Sequence, residues 1–230
     1  MIFFILGTLC ALVALWGMVS IAFVYKIEEP EYAIVKQGDG YELRAYKPYI
    51  VAETTVDAAS ERQALTQGFR IVAAYIFGAN EGKETLGKHV PNATSVRGGT
   101  KIAMTRPVNS IEAGSGKWTI AFYMPPRFTS IDMLPKPTDE RVMLRVVPAH
   151  TTAVRMFGWY ATDARIEQEK KYLAEDLEAD GIAIVGSFAY AGYNPPLSAP
   201  YVQRHEVSVA VIVPEEGSET VDSAGAAVVS

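Results

Sequence analysis

Two stretches of helical periodicity, set about half a chain apart among strand-like segments, restrict what this sequence can fold into. Leu65, Phe69, Val72 and Ile76 recur at spacings of four, three and four. That is one face of a helix, predicted over residues 60–77. Ser60 with Gln63 resembles a capping box, and Gly78 sits where a left-handed C-cap belongs. The second helix is predicted from Asp163 to Ala179, with Thr162 as N-cap and Gly181 as C-cap. Its buried stripe is Ile166, Leu173 and Leu177; Glu167, Glu169, Lys170, Lys171 and Glu175 form its solvated face. Neither helix is long enough to persist in water unaided, so each must lay its stripe on a sheet.

The strands for that sheet lie on either side of each helix. Tyr32–Lys36 is followed by the turn Gly38-Asp39-Gly40, then by Tyr41–Tyr46 and Tyr49–Val56. After the first helix and a polar loop over residues 79–99 come Lys101–Thr105 and Trp118–Met124. Arg141–Val147 and Thr151–Phe157 read as a strand pair about Pro148-Ala149-His150. Ile182–Tyr190 and Glu206–Val213 follow the second helix. The order repeats, which points to an α+β chain built from two β-α-β-β-like units. Two such units form one curved antiparallel sheet or barrel carrying both helices.

The ends differ from this body. Ile2 to Tyr25 is an uncharged run of 24 residues. About 20 apolar residues span a bilayer core as a helix, so residues 1–25 are expected to be a single N-terminal transmembrane anchor. A secretory signal cleaved near Ser20-Ile21-Ala22 is the rival reading, and an extracytoplasmic body is expected with either. Residues 215–230 hold four acids and no base, and are expected to form a disordered tail. The net charge of −5 therefore leaves 22 acids and 21 bases in residues 26–214. A body so close to neutral argues against nucleic-acid binding, which needs clustered positive charge. The single cysteine, Cys10, lies in the apolar run, so the body has no disulfide, cysteine-ligated zinc or thiol nucleophile.

Catalytic signatures are missing. There is no Gly-x-Ser-x-Gly, Walker loop or His-Glu-x-x-His, and Gly98-Gly99-Thr100-Lys101 lacks the first glycine of a phosphate loop. His89, His150 and His205 are far apart, and none has a His, Asp or Glu at helical ligand spacing. A protein that binds, rather than an enzyme, is expected.

Six segments, in order over about residues 31–213, resemble the SOUL haem-binding protein family. They are Tyr41-Glu42-Leu43-Arg44-Ala45-Tyr46-Lys47-Pro48, Gly68-Phe69 with Tyr75-Ile76-Phe77-Gly78-Ala79-Asn80, and Lys101-Ile102-Ala103-Met104-Thr105-Arg106-Pro107-Val108. The others are Phe122-Tyr123-Met124-Pro125, Ala191-Gly192-Tyr193-Asn194-Pro195-Pro196 and Arg204-His205-Glu206-Val207. The resemblance implies a distorted antiparallel β-barrel with two flanking helices and pseudo-twofold symmetry, here residues 26–214. It implies haem or another tetrapyrrole in a shallow apolar groove beside the first predicted helix, with Thr66, Phe69 and Ala73 on the haem-facing side.

Haem needs an apolar face for its macrocycle and cations for its propionates. Phe69 suits stacking, and Arg62 or Arg70 suits a propionate. Tyr193, Leu197 and Tyr201, from the loop over residues 193–201, would form the opposite wall. Some relatives carry His where this chain has Ala45, so the axial ligand is left unassigned. The expected role is membrane-tethered sequestration, buffering or delivery of the tetrapyrrole. A second reading is an amphipathic small-molecule receptor related to multidrug-sensor domains, with Glu53 or Glu206 as the carboxylate for a cation. A haem-modifying enzyme is a third, lesser reading.

Overall fold

The computed structural model describes residues 1–24, 27–82, 94–96, 99–195 and 197–213. The acidic tail and His89 lie outside the described residues. The helices are α1 (Ile2–Val24), α2 (Glu61–Ile76) and α3 (Asp163–Ala179). Of the strands, β1 (Tyr32–Gln37), β2 (Glu42–Tyr46) and β3 (Tyr49–Asp57) precede α2. Two short ribbons follow it: β4 (Asn80–Glu81) with β9 (Lys136–Pro137), and β5 (Thr94–Val96) with β6 (Gly99–Lys101). The remaining strands are β7 (Val108–Glu112), β8 (Lys117–Tyr123), β10 (Met143–Val147), β11 (His150–Gly158), β12 (Ala183–Gly192) and β13 (Arg204–Ile212).

Nine strands make one antiparallel sheet in the order β1-β2-β11-β13-β12-β7-β8-β3-β10. Outward from the central β7–β12 pair, one half runs β8-β3-β10 and the other β13-β11-β2. The expected duplication is therefore visible as topology, but with an exchange. The two-residue links Lys47-Pro48 and Pro148-Ala149 do not close hairpins. Instead β2 pairs with β11, placing Tyr46 opposite His150, and β10 pairs with β3, placing Val147 opposite Tyr49. The expected pairing of Arg141–Val147 with Thr151–Phe157 is corrected accordingly. The expected barrel is corrected too: β1 and β10 end the sheet without meeting, leaving a curled half-barrel.

Both helices pack on one face of the sheet. From α2, Ala64, Val72, Tyr75 and Ile76 join Ile50, Ala52, Ile120 and Phe122 in the larger core. Gly68 lets the helix approach: a Cβ there would lie 2.3 Å from Ile120 Cγ1. The buried face of α2 is thus rotated from the expected one, and Phe69 stands 38% exposed. On α3 the expected stripe holds, with Ile166, Leu173 and Leu177 buried against β11, β12 and β13. Both N-caps form as expected: Ser60 accepts from Gln63 N at 3.3 Å and Thr162 from Arg165 N at 3.2 Å. Glu61 ties the halves together, accepting from Ser110 on β7 and pairing with Lys170 on α3 at 3.2 Å. Of the expected strand Lys101–Thr105, only Lys101 lies in β6, and Thr105 bridges Glu28.

Among the described residues no helix is long and apolar enough to cross a membrane, so the expected single N-terminal anchor is corrected. The second half of α1 is also held by the body. Trp16 Nε1 donates to Leu197 O at 3.1 Å, and Ser20 Oγ accepts from Ala199 N at 2.9 Å. Tyr201 Oη donates to Val13 O beside Gly17, where a Cβ would collide with that phenol.

Candidate functional site

Arg62, Thr66, Phe69 and Ala73 recur at four, three and four residues along α2, a single stripe at the edge of its buried face. Phe69 lies at its centre. One side of the ring meets Phe122, with centroids 5.3 Å apart, and the rest faces solvent. Ala73 is buried, so the stripe steps inward beyond Phe69. Thr66 spends its hydroxyl proton on Arg62 O at 2.9 Å. Among the described residues Arg62 and Arg70 have no carboxylate partner; the acid next to Arg62, Glu61, is already taken by Ser110 and Lys170. Arg62 Nη2 reaches Ala161 O at 3.4 Å, in the loop between β11 and α3.

The structure does not bring the other three expected residues to this stripe. Tyr193 is buried on the opposite side of the sheet, donating to Glu206 Oε2 at 2.6 Å. Successive strand residues face opposite ways: Val207 packs in the α3 core, so Glu206 faces away from the helices. Leu197 is 87% exposed, and its carbonyl takes the Trp16 indole. Tyr201 docks α1.

The side away from the helices holds a charge network that local sequence does not reveal. Arg44, fully buried, donates from Nη1 to both Glu206 oxygens at 3.1 Å and from Nε to Glu42 at 2.9 Å. Arg204 donates to Glu206 Oε1 at 2.6 Å and lies 3.9 Å over the Tyr193 ring. Glu29 pairs with Arg204 and with Arg106. Burial opposes the charge on Arg44 most strongly of any single cause, but Glu206, Tyr46 and Glu42 together outweigh it and raise the guanidinium above its ordinary value. Burial first, then the Glu206 charge, raises the Tyr193 phenol. Glu206 is saturated by these donors, and Glu53 is held by both arms of Arg145 at 2.8 Å. Neither is a free carboxylate for a cationic ligand. Beside the network, Tyr49, Tyr123, Met124 and Phe128 help line a cleft of about 270 Å³.

Iron ligation finds no ready partner on the stripe. Its side chains are Arg, Thr, Phe, Arg and Ala. His150 stacks on Tyr46 and donates from Nδ1 to Pro148 O at 2.9 Å. His205 is buried, with both ring nitrogens bonded. Met104 packs against the core beneath α2. Among the described residues no three His, Cys, Asp or Glu side chains cluster as metal ligands. The stripe thus offers a phenyl face and nearby guanidiniums and, among the described residues, no ligand for iron.

Residues 27–210 match the family described as SOUL heme-binding protein, and the chain belongs to that family. No curated protein matches it. Among solved structures it is similar to the EcmrR C-terminal domain, at 13% identity and a TM-score of 0.52, covering 79% of this chain and 98% of that one. A hydrolase from Listeria innocua aligns at 8% identity and a TM-score of 0.48, over 81% of this chain and 93% of that one. The first likeness concerns the α+β half-barrel fold alone.

Proposed function

We propose that this chain binds haem or a related tetrapyrrole, without transforming it, on the outer stripe of α2. Family membership supports the ligand class. The observation that carries the site is Phe69, an aromatic ring held against the core by Phe122 yet left 38% exposed, with Arg62 and Arg70 uncommitted to any carboxylate among the described residues. A phenyl face and two guanidiniums match the macrocycle and its propionates. These groups hold a ligand, and a site this open suits exchange: buffering or delivery more than permanent capture.

Titrating the full chain with haemin and following the Soret band tests this. Saturable binding is expected, weakened about tenfold by Phe69→Ala and comparably by Arg62→Ala combined with Arg70→Ala, as loss of one aromatic contact or of the charge-assisted bonds implies. Binding that is not saturable, or that ignores these substitutions, would reject the site.

A further inference from the structure

The loop between β11 and α3 contains a backbone outlier. Trp159 adopts φ +66°, the left-handed region that a bulky L residue seldom enters. A buried group fixes it there. The imidazole of His205 lies between the rings of Phe157 and Tyr190, at centroid distances of 5.3 and 5.8 Å. Its Nε2–H is shared between Trp159 O at 2.9 Å and Gln203 Oε1 at 3.0 Å, and its Nδ1 accepts from Tyr190 Oη at 2.8 Å. The side chains so positioned do not pack inward: Trp159 is 63% exposed and Tyr160 60%. Strain of this kind persists only where surrounding structure enforces it, and it gathers at functional positions. Here the fold commits a buried histidine to hold two large aromatic side chains in water.

The place matters as much as the strain. The residue after Tyr160 is Ala161, whose carbonyl receives Arg62 Nη2, the first residue of the α2 stripe. The aromatic pair thus directly precedes, in the chain, the residue that Arg62 reaches from the end of the stripe. From Arg62 to Ala73 the stripe extends roughly 16 Å at helical rise, so a flat ligand centred on Phe69 reaches towards this loop.

We infer that Trp159 and Tyr160 form the second aromatic wall of the tetrapyrrole site, against which the macrocycle rests opposite or beside Phe69. His205 is a positioning residue for that wall and touches no ligand. The inference rests on the function proposed above.

The strain supplies an unusual test. Glycine tolerates φ +66°, so Trp159→Gly removes the ring while relieving the backbone. The full-length variant is expected to keep or raise its thermal midpoint yet bind haemin about tenfold more weakly by Soret titration. Trp159→Phe should restore binding to near wild type. Haemin should also quench Trp159 emission in a Trp16→Phe, Trp118→Phe background, with the midpoint of the Soret titration. Unchanged affinity in Trp159→Gly, with Phe69→Ala still impaired, would overturn the wall and leave the α2 site standing. A lowered thermal midpoint with unchanged affinity would make Trp159 structural and overturn it as well. Absence of saturable haemin binding by wild type would remove both.

Discussion

Single side chains carry the sharpest consequences of burial in this molecule. Burial holds the His205 imidazole below its ordinary value of 6.5. Above about pH 6.5 the ring is neutral whether the chain is folded or not, and it contributes no pH dependence. As pH falls below that, the unfolded chain takes up a proton that the fold resists, and stability falls. Glu61 acts in the opposite sense. Desolvation raises its carboxyl above 4.5 despite Ser110 and Lys170, so its contribution weakens as pH rises from about 4.5 through the folded value. Between pH 5 and 8, His205 should therefore make the thermal midpoint decline on the acid side of 6.5, against the opposite pull of Glu61. His205→Gln should flatten that decline, and an unchanged profile in the variant would refute the assignment. At this scale the sequence was only partly legible. Ser60 and Thr162 could be read as caps because a cap and the backbone N–H that donates to it lie three residues apart. Arg44 could not be read as a buried ion-pair centre, because Glu206 lies 162 residues away. Phe69 fell on the expected stripe, yet nothing local distinguished a core phenyl from a half-exposed one.

Among the elements, α2 shows how close approach outweighs propensity. Alanine in place of Gly68 would favour an isolated helix by up to about 1 kcal/mol. The added Cβ, however, would lie 2.3 Å from a carbon of the fully buried Ile120. Overpacking of that kind costs about 1–3 kcal/mol, so Gly68→Ala is expected to destabilise the protein overall, read as a lower urea midpoint. A raised midpoint would mean that β8 yields more readily than the packing implies. The two helices were legible because their period and caps are local. The strand partners were not. Two runs separated by two residues suggest a hairpin, whereas here each proline-containing link sends its second strand into the other half of the sheet. Nothing within either run encodes that choice; the aromatic register of Tyr46 against His150 becomes meaningful only once the sheet exists.

For the whole molecule, hydropathy gave the wrong destination for the N-terminal segment. An apolar helix reads the same whether lipid or protein receives it, and the contacts at Trp16, Ser20 and Tyr201 are not visible in composition. Ser20 is the hinge of that docking, since it accepts from the buried Ala199 amide and donates to Trp16 O at 2.8 Å. Ser20→Ala leaves a buried N–H unpaired, a cost of about 1–3 kcal/mol. It should speed amide exchange at Ala199 and along residues 13–20, with α2 unaffected. Protection equal to wild type would show that the helix is held by other means.

The exchanged strands also have a consequence during synthesis. β3 gains β8 on one side early, but its other side waits for β10, which begins about 90 residues later in the chain. β2 likewise lacks its inner neighbour until β11 has emerged. A nascent chain ending before residue 143 therefore presents three open strand edges at once, on β2, β3 and β7, each able to recruit a foreign strand. Neither repeat can shield itself, and each is completed only by its sibling.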